Sequence, residues 1–257
     1  MNKFAVNLTT IFTEVPFLER FKKAQECGFS YVECQFPYNY SIDEIQRELV
    51  RNDLSMVLLN LPPGNWEKGD RGLGVDPNRV DEFKTSVMEG IKYATALNVP
   101  RIHCMAGIVS KDDCETAKDI YLENLHYAGT EMAKHGLTIL LEPINQFDMP
   151  GYFLSDIRQA KEILGTLGLQ NIKIQFDFYH IQRIHGNPLA FFQQYADVVG
   201  HIQIADVPGR NQPGAGEMDY QSIFQYLNDT YQGYIGLEYT PLGKSQDSFE
   251  WLRAGGK

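Results

Sequence analysis

The sequence lacks any apolar run that approaches the roughly 18 residues of a membrane-spanning helix, so no membrane span is expected. Its first stretch, "MNKFAVNLTTIFTEVP", is interrupted by Asn7, Thr9 and Thr10, and therefore lacks the apolar core of a signal peptide. Basic residues are also few, with 23 Lys and Arg against 33 Asp and Glu and a net charge of −10. This balance disfavours a broad phosphate-binding face, so neither nucleic acid nor an anionic membrane is expected as a partner.

Cysteine is scarce and shows no CxxC pair. The four cysteines are Cys27, Cys34, Cys104 and Cys114. Widely spaced cysteines without a metal or redox motif are typical of structural thiols in a reducing compartment. The sequence therefore predicts a cytoplasmic protein without disulfides.

A glycine-rich phosphate-binding turn is also missing. The first apolar segment is followed by "TTIFTEVP" rather than GxGxxG, which disfavours a doubly wound nucleotide-binding sheet. Eight short apolar segments alternate with longer amphipathic ones, at about 32 residues per unit, the size typical of an α/β TIM barrel. The predicted strands are 4–8, 31–36, 56–61, 101–106, 138–142, 172–177, 201–206 and 234–239.

The amphipathic segments carry helix signals, of which the clearest is a capping box. Ser41 is followed three residues later by Glu44, directly before an amphipathic stretch. With no linker or low-complexity segment in between, the pattern predicts one domain, a (β/α)8 TIM barrel over residues 1–257.

The fifth predicted strand ends in an ionisable group. In "TILLEPINQFD" a buried-type run leads into Glu142 and then Pro143, which cannot donate a hydrogen bond to a neighbouring strand. Three later strands carry comparable groups, at Asp177, Gln203 and Glu238. The separations are 35, 26 and 35 residues, each about one βα unit, so the four side chains should meet at the carboxyl ends of neighbouring strands.

Three carboxylates that converge on a barrel mouth would repel each other and lose solvation. Either their pKa values rise or a cation lies among them, and oxygen ligands suit a hard ion such as Mg²⁺ or Mn²⁺. A single strand-end carboxylate is more often a solvated surface group, but four matched positions are difficult to attribute to chance.

Further candidates flank this constellation. His180, in the loop predicted after the sixth strand, could bind a substrate oxygen or move a proton, or it could be a loop histidine with a local partner. Arg210 and Arg71 lie in glycine-rich loops, where each could grip a substrate carboxylate or be merely solvated. The loop with Arg71 also suits a lid, on which Trp66 could shield the site or pack on the rim.

Four other polar residues have weaker claims. His103 and His201 are expected to be structural residues near strand starts or interiors. Asn145 and Asp148 could face a substrate or form a turn beyond the fifth strand.

The motifs "LNLPPGNWEKGDRG", "ILLEPIN", "IQFDFYHIQ", "HIQIADVPGRNQPGAGEMDY" and "GLEYTP" together resemble the hydroxypyruvate isomerase family. That family belongs to the xylose-isomerase-like TIM barrels, alongside the ketose 3-epimerases. The resemblance covers essentially the whole chain and implies divalent-metal ligands at Glu142, Asp177, Gln203 and Glu238. It also implies that Glu142 and Glu238 act as the acid/base pair.

The likeness to the epimerases implies substrate contacts at His180 and Arg210. One departure concerns Gln203, where the epimerases carry a histidine. A glutamine is a weaker, neutral oxygen ligand. The resemblance therefore implies a modest metal affinity and leaves the metal requirement open.

The implied activity is that of an intramolecular oxidoreductase acting on a small hydroxy-oxo acid. Hydroxypyruvate and 2-hydroxy-3-oxopropanoate would interconvert through an enediolate, with 2-oxo-tetronate isomerisation and ketose 3-epimerisation as alternatives.

A related endonuclease would need a histidine-rich zinc site and a basic groove, and a non-catalytic sugar-acid binding barrel would be expected to lose one of the two glutamates. Relatives often form homo-oligomers, but the sequence shows no decisive interface signal.

Overall fold

Eight parallel strands close into a barrel in the order in which they occur along the chain, which confirms the predicted TIM barrel. The structure is a computed structural model that describes residues 2–110 and 113–253, except for the side chain of residue 253. The strands are β1 Lys3–Asn7, β2 Tyr31–Cys34, β3 Ser55–Asn60, β4 Arg101–His103, β5 Thr138–Leu141, β6 Ile172–Asp177, β7 Val199–Ile204 and β8 Tyr234–Leu237.

The helices lie outside this barrel and bury their apolar faces against the strands. They are α1 Phe17–Glu26, α2 Ile42–Arg51, α3 Val80–Ala96, α4 Cys114–Ala133, α5 Ile157–Leu167, α6 Phe178–His185, α7 Pro188–Tyr195, α8 Tyr220–Thr230 and α9 Glu250–Arg253. The predicted capping box is present at the start of α2, where the side chains of Ser41 and Glu44 each accept a hydrogen bond from the other residue's backbone.

One helix was not expected. The segment after β6 was predicted to be a loop, but it forms α6, so His180 lies in the first turn of a helix. The cause is Asp177, which caps this helix because its Oδ1 accepts a hydrogen bond of 2.9 Å from the backbone N–H of Tyr179.

Several strands end earlier than predicted, and this places the site residues just beyond the barrel wall. β5 ends at Leu141 and β8 at Leu237, so Glu142 and Glu238 are the first residues after their strands. β4 ends at His103 rather than at residue 106. Apolar composition continues into these loops because they remain buried under the rim, so composition alone did not mark where strand pairing stops.

The inside of the barrel is unusually polar near its carboxyl end. Its buried polar side chains include Asn7, Glu33, Gln175, His201 and Gln203, each at most 1% exposed. Such groups are tolerated in a core only when they bond one another. They form the floor beneath the strand-end residues.

No helix in the described ranges has the length and apolarity needed to cross a bilayer. No disulfide bond forms among the described residues, and Cys34 and Cys104 are buried, whereas Cys27 and Cys114 are exposed. Burial raises the pKa of the Cys34 and Cys104 thiols to about 12, which fits inert structural thiols. The cytoplasmic location stays a prediction.

Candidate active site

The structure brings the four matched strand-end residues to the mouth of the barrel. Glu142, Asp177, Gln203 and Glu238 are each at most 5% exposed. A cavity of about 160 Å³ opens at this mouth, and of the four residues Glu142 and Glu238 line it. Its polar lining includes Gln35, Asn60, His103, Glu142, His180, Arg210 and Glu238.

Three of these side chains form a group that could hold a metal ion. Glu142, Asp177 and His180 each place one ligand atom within 4.8 Å of the others. Among the described residues, nothing donates a hydrogen bond to Glu142 Oε1 or Asp177 Oδ2, although both atoms are buried. Buried carboxylate oxygens without a hydrogen-bond donor are costly, and a divalent cation would satisfy them. The residues present therefore fit a hard metal ion.

Burial and the nearby carboxylates destabilise the charged forms of the three carboxyl groups. Burial raises the pKa of Glu142 well above its ordinary value, and the nearby Glu238 and Asp177 add to this effect. Burial likewise raises the pKa of Asp177 to about 7, although Arg210 opposes the shift. The pKa of Glu238 is also raised, chiefly by burial, against the influence of Arg210. Raised carboxyl pKa values are typical of groups that exchange protons or await a cation.

Arg210 brings a cation into this cluster. Its Nη2 lies 2.7 Å from Glu238 Oε2 and 3.6 Å from Asp177 Oδ2. Burial opposes the charge of Arg210, but Glu238, Asp177 and Glu142 together raise its pKa, so the guanidinium stays charged. Its side chain is 31% exposed, so it can also reach a ligand in the cavity.

The loop that carries Arg210 is fixed by Asp206. The carboxylate of Asp206 accepts backbone N–H bonds from Gly214, Gly216 and Met218, at 2.9 to 3.0 Å. Thr240 donates its N–H to the carbonyl of Arg210 at 2.8 Å, which ties this loop to the one after β8. Asp206 thus organises the loop, and Arg210 is held in place by backbone bonds.

The proton on His180 is fixed by Asn145. The amide oxygen of Asn145 accepts N–H bonds of 3.0 Å from Phe147 and Asp148, so its NH₂ group must point the other way. That group lies 2.7 Å from His180 Nδ1, and the Asn145 backbone N–H lies 3.4 Å from the same atom. Because Nδ1 receives two donors, the neutral ring carries its proton on Nε2.

The consequence is that His180 presents a donor to the cavity. Its Nε2 lies 3.6 Å from Asp177 Oδ2 and 3.9 Å from Glu142 Oε1. The pKa of His180 is lowered well below its ordinary value, first by burial and then by Arg210 and His103, so the ring is neutral. With its proton on Nε2 the ring can donate to a substrate oxygen, and of the close group Glu142, Asp177 and His180 the two carboxylates then remain as the ligands for a cation.

Gln203 lies in β7 beneath the carboxylates. Its Nε2 donates to Glu33 Oε1 at 2.7 Å, and its Oε1 accepts from Gln175 Nε2 at 2.6 Å. The side chain is therefore held at both ends. Its carbonyl oxygen is the atom that could serve a cation.

Arg71 lies beside Trp66 at the rim of the cavity. Its guanidinium packs on the Trp66 ring, 3.9 Å from the ring centroid, and donates to the carbonyl oxygens of Trp66 and Asp70. Among the described residues that line the cavity, Trp66 is present and Arg71 is not. Trp66 also packs against Phe36, with ring centroids 5.3 Å apart. Arg71 thus supports the aromatic rim of the cavity.

Three further residues at or just after the first four strands contact the site and were not predicted to do so. His103, expected to be structural, lines the cavity, and its Nδ1 lies 3.6 Å from Glu142 Oε2. Asn7 and Gln35 each donate to Glu238 Oε1, at 3.0 and 2.9 Å. A strand-end search of the kind that found Glu142, if applied to strands one to four, would have found all three. His201, by contrast, lies in the barrel interior as expected.

Comparisons with known proteins agree with this fold. The family model described as xylose isomerase-like TIM barrel matches residues 21–255. Hydroxypyruvate isomerase of Escherichia coli (strain K12) is 41% identical over 254 residues, which cover 98% of both chains. A 2-oxo-tetronate isomerase of Pectobacterium atrosepticum is 39% identical, over 98% of this chain and 97% of that one.

Among solved structures, one titled AP endonuclease, family 2, from Brucella melitensis superposes with a TM-score of 0.96, at 39% identity and 99% coverage of both chains. These likenesses extend over nearly the whole length of the chain, barrel and site loops together. The chain therefore belongs to the xylose isomerase-like TIM barrel family, in the part of it that includes the hydroxypyruvate isomerases.

Proposed function

We propose that this chain is an isomerase that interconverts hydroxypyruvate and 2-hydroxy-3-oxopropanoate. The observation that carries the proposal is that two glutamates, Glu142 and Glu238, line one small cavity in a chain 41% identical to a hydroxypyruvate isomerase. Both have raised pKa values, as a proton-transfer pair at neutral pH requires.

In the proposed reaction, one glutamate removes a proton from the hydroxymethyl carbon of hydroxypyruvate, and an enediolate forms. The other glutamate returns a proton to the neighbouring carbon, and a hydroxyl proton passes between the two oxygens. Glu142 and Glu238 supply the carbon-directed steps. His180 Nε2–H faces the same cavity and is suited to hold or pass the proton between oxygens.

Substrate orientation falls to Arg210 in this proposal. The guanidinium offers several N–H donors in a geometry that matches a carboxylate. One of its nitrogens, Nη2, donates to Glu238 Oε2, and this bond fixes the side chain. Arg71 acts indirectly, because it packs on the ring of Trp66 and holds this ring over the cavity. This replaces the direct contact that the sequence suggested for Arg71.

The residues that would hold a divalent cation, Mg²⁺ or Mn²⁺, are Glu142, Asp177 and Glu238, with Gln203 contributing its carbonyl oxygen. The unpartnered oxygens of Glu142 and Asp177 support this set. When bound, the cation would polarise the substrate carbonyl and stabilise negative charge on the oxygens.

A second candidate is 2-oxo-tetronate isomerisation, because a relative of that name is 39% identical. Ketose 3-epimerisation is a further member of this chemical class. The names of the relatives, which concern a three-carbon and a four-carbon acid, support a small acid over a hexose.

Candidates of other classes have less support. An endonuclease would need a basic groove, whereas the chain carries a net charge of −10. Its zinc site would be rich in histidine, whereas the close group of ligand residues in the described ranges includes His180 alone. A non-catalytic binding barrel would not require both glutamates, and both line the cavity.

The test is a substrate panel. The purified protein is incubated with hydroxypyruvate, a 2-oxo-tetronate and common ketoses, with and without EDTA, and products are followed by NMR. The proposal expects the highest kcat/KM with hydroxypyruvate. A higher kcat/KM with a 2-oxo-tetronate would favour the second candidate, and turnover of none would refute the isomerase assignment.

A further inference from the structure

A buried carboxylate lies beneath the site and takes no part in the proposed proton transfers. Glu33, in β2, is 0% exposed. Its Oε1 accepts hydrogen bonds from Gln203 Nε2 at 2.7 Å and from Asn7 Nδ2 at 3.0 Å. Its Oε2 lies 2.8 Å from His201 Nε2. Burying a carboxylate is costly, so the arrangement needs a compensating purpose or a dense set of donors.

The barrel is shaped to admit this carboxylate. Gly236 of β8 pairs in register with Gln203 of β7. A Cβ atom at position 236 would collide with both carboxylate oxygens of Glu33. The glycine thus leaves the space in which Glu33 reaches across the barrel interior.

The chemistry of the contacts gives Glu33 a directing role. A carboxylate only accepts hydrogen bonds, so it requires the NH₂ end of the Gln203 amide. The carbonyl oxygen of Gln203 must then face away from Glu33, where Gln175 Nε2 donates to it at 2.6 Å. If the amide were reversed, Nε2 would take the place of the oxygen, and an amide nitrogen with two hydrogens cannot ligate a cation.

Glu33 also fixes a donor to Glu238. The oxygen of Asn7 accepts the backbone N–H of Thr9 at 2.9 Å, so its NH₂ group faces the barrel. One amide nitrogen then bridges two carboxylates, with 3.0 Å to Glu33 Oε1 and 3.0 Å to Glu238 Oε1. The same oxygen of Glu33 therefore orders a residue on each side of the cavity floor.

We propose that Glu33 is a positioning residue, which aims the carbonyl oxygen of Gln203 at the cation and holds Asn7 against Glu238. This inference depends on the proposed function, because it assumes the divalent-metal site. Partners that orient metal ligands typically change metal affinity or activity 10- to 100-fold when mutated.

The test compares Glu33→Gln with His201→Gln. His201 contacts only the other oxygen of Glu33, so its variant disturbs the same buried cluster without freeing Gln203 or Asn7. Mn²⁺ affinity of metal-stripped protein is measured by EPR, with Tm from calorimetry and kcat and KM for hydroxypyruvate. We expect Glu33→Gln to weaken Mn²⁺ binding about 10- to 100-fold and to lower kcat, whereas His201→Gln lowers Tm but changes Mn²⁺ affinity less than about threefold.

A double variant tests whether Glu33 acts by orienting the amide of Gln203 or only by supporting the fold. In Glu33→Gln with Gln203→Glu, donor and acceptor change places, and a carboxylate at 203 offers an oxygen in either orientation. We expect this double variant to recover Mn²⁺ affinity to within about threefold of wild type. Failure to recover, or wild-type affinity in Glu33→Gln alone, would overturn the inference.

Two outcomes keep this test distinct from that of the proposed function. If wild-type protein neither binds Mn²⁺ nor isomerises hydroxypyruvate, the proposed function fails, whereas an active wild type with an unaffected Glu33→Gln contradicts only the role of Glu33. If Glu33→Gln does not fold, Gly236→Ala, which displaces the carboxylate without changing charge, replaces it. Weakened Mn²⁺ binding there supports the inference, and wild-type binding overturns it.

Discussion

Arg210 Nη2 and Glu238 Oε2 lie 2.7 Å apart, so one candidate proton-transfer group is bonded directly to the candidate substrate anchor. Under the proposed function, a substrate carboxylate that engages Arg210 would lie beside Glu238, and Glu142 lines the same cavity.

Arg210→Met should raise KM for hydroxypyruvate about 10- to 100-fold, because a charge-assisted hydrogen bond contributes about 1.5 to 3 kcal/mol. The measurement is steady-state kinetics. Dihydroxyacetone, which lacks the carboxylate, serves as the control substrate. An equal loss on both compounds would contradict the anchoring role.

Arg71→Met should lower kcat/KM by about 2- to 10-fold, because a stacked guanidinium contributes on the order of 1 kcal/mol. Since Arg71 acts through Trp66, the loss should be the same for hydroxypyruvate and dihydroxyacetone. A loss confined to hydroxypyruvate would instead show that Arg71 contacts the carboxylate directly. The matched comparison is Trp66→Phe, which keeps the rim but reduces its area.

His180 should carry its proton on Nε2, because Asn145 supplies two donors to Nδ1. The measurement is ¹⁵N NMR of the labelled imidazole ring, which distinguishes a protonated from an unprotonated nitrogen. In Asn145→Asp the new carboxylate accepts from Nδ1–H, so the tautomer should reverse and kcat should fall on the order of 100-fold. A wild-type ring with its proton on Nδ1 would contradict this assignment.

Metal removal should destabilise the protein. Mn²⁺ at about 100 times its Kd stabilises the native state by about 2.7 kcal/mol, and for a chain of this size that corresponds to a Tm increase of roughly 5–10 °C. Calorimetry of EDTA-treated protein with and without Mn²⁺ measures the effect. Asp177→Asn, which replaces a carboxylate oxygen that accepts no hydrogen bond, should lose most of the increase. An unchanged increase in this variant would place the ion elsewhere.

The strand pattern predicted the barrel and the strand-end search predicted Glu142, Asp177, Gln203 and Glu238, because parallel strands in a closed barrel must end at the same rim. The orientation of the side chains could not be predicted from the strand pattern. Asn7 reaches Glu238 across 231 positions of sequence, and Gln203 reaches Glu33 across 170. Which end of each amide faces its neighbour depends on such distant partners.

The position of the Arg71 side chain likewise could not be predicted from the local sequence. A glycine-rich loop over a barrel mouth favours a binding role for any arginine in it. In the structure the Trp66 ring holds the guanidinium at its face, and a contact between Arg71 and a substrate stays a prediction. The local sequence shows that both residues are present, but it does not show how their side chains are arranged. His180 was likewise assigned to a loop because the capping role of Asp177 was not recognised.

The most direct test of the central claim is the turnover of hydroxypyruvate by Glu142→Gln and Glu238→Gln, followed by NMR, with exposed Glu123→Gln as the control variant. If Glu142 and Glu238 are the proton-transfer pair, each variant should lose about 10²- to 10⁴-fold in kcat, with wild-type circular dichroism, while the control retains full activity. Near wild-type turnover in both site variants would contradict the account.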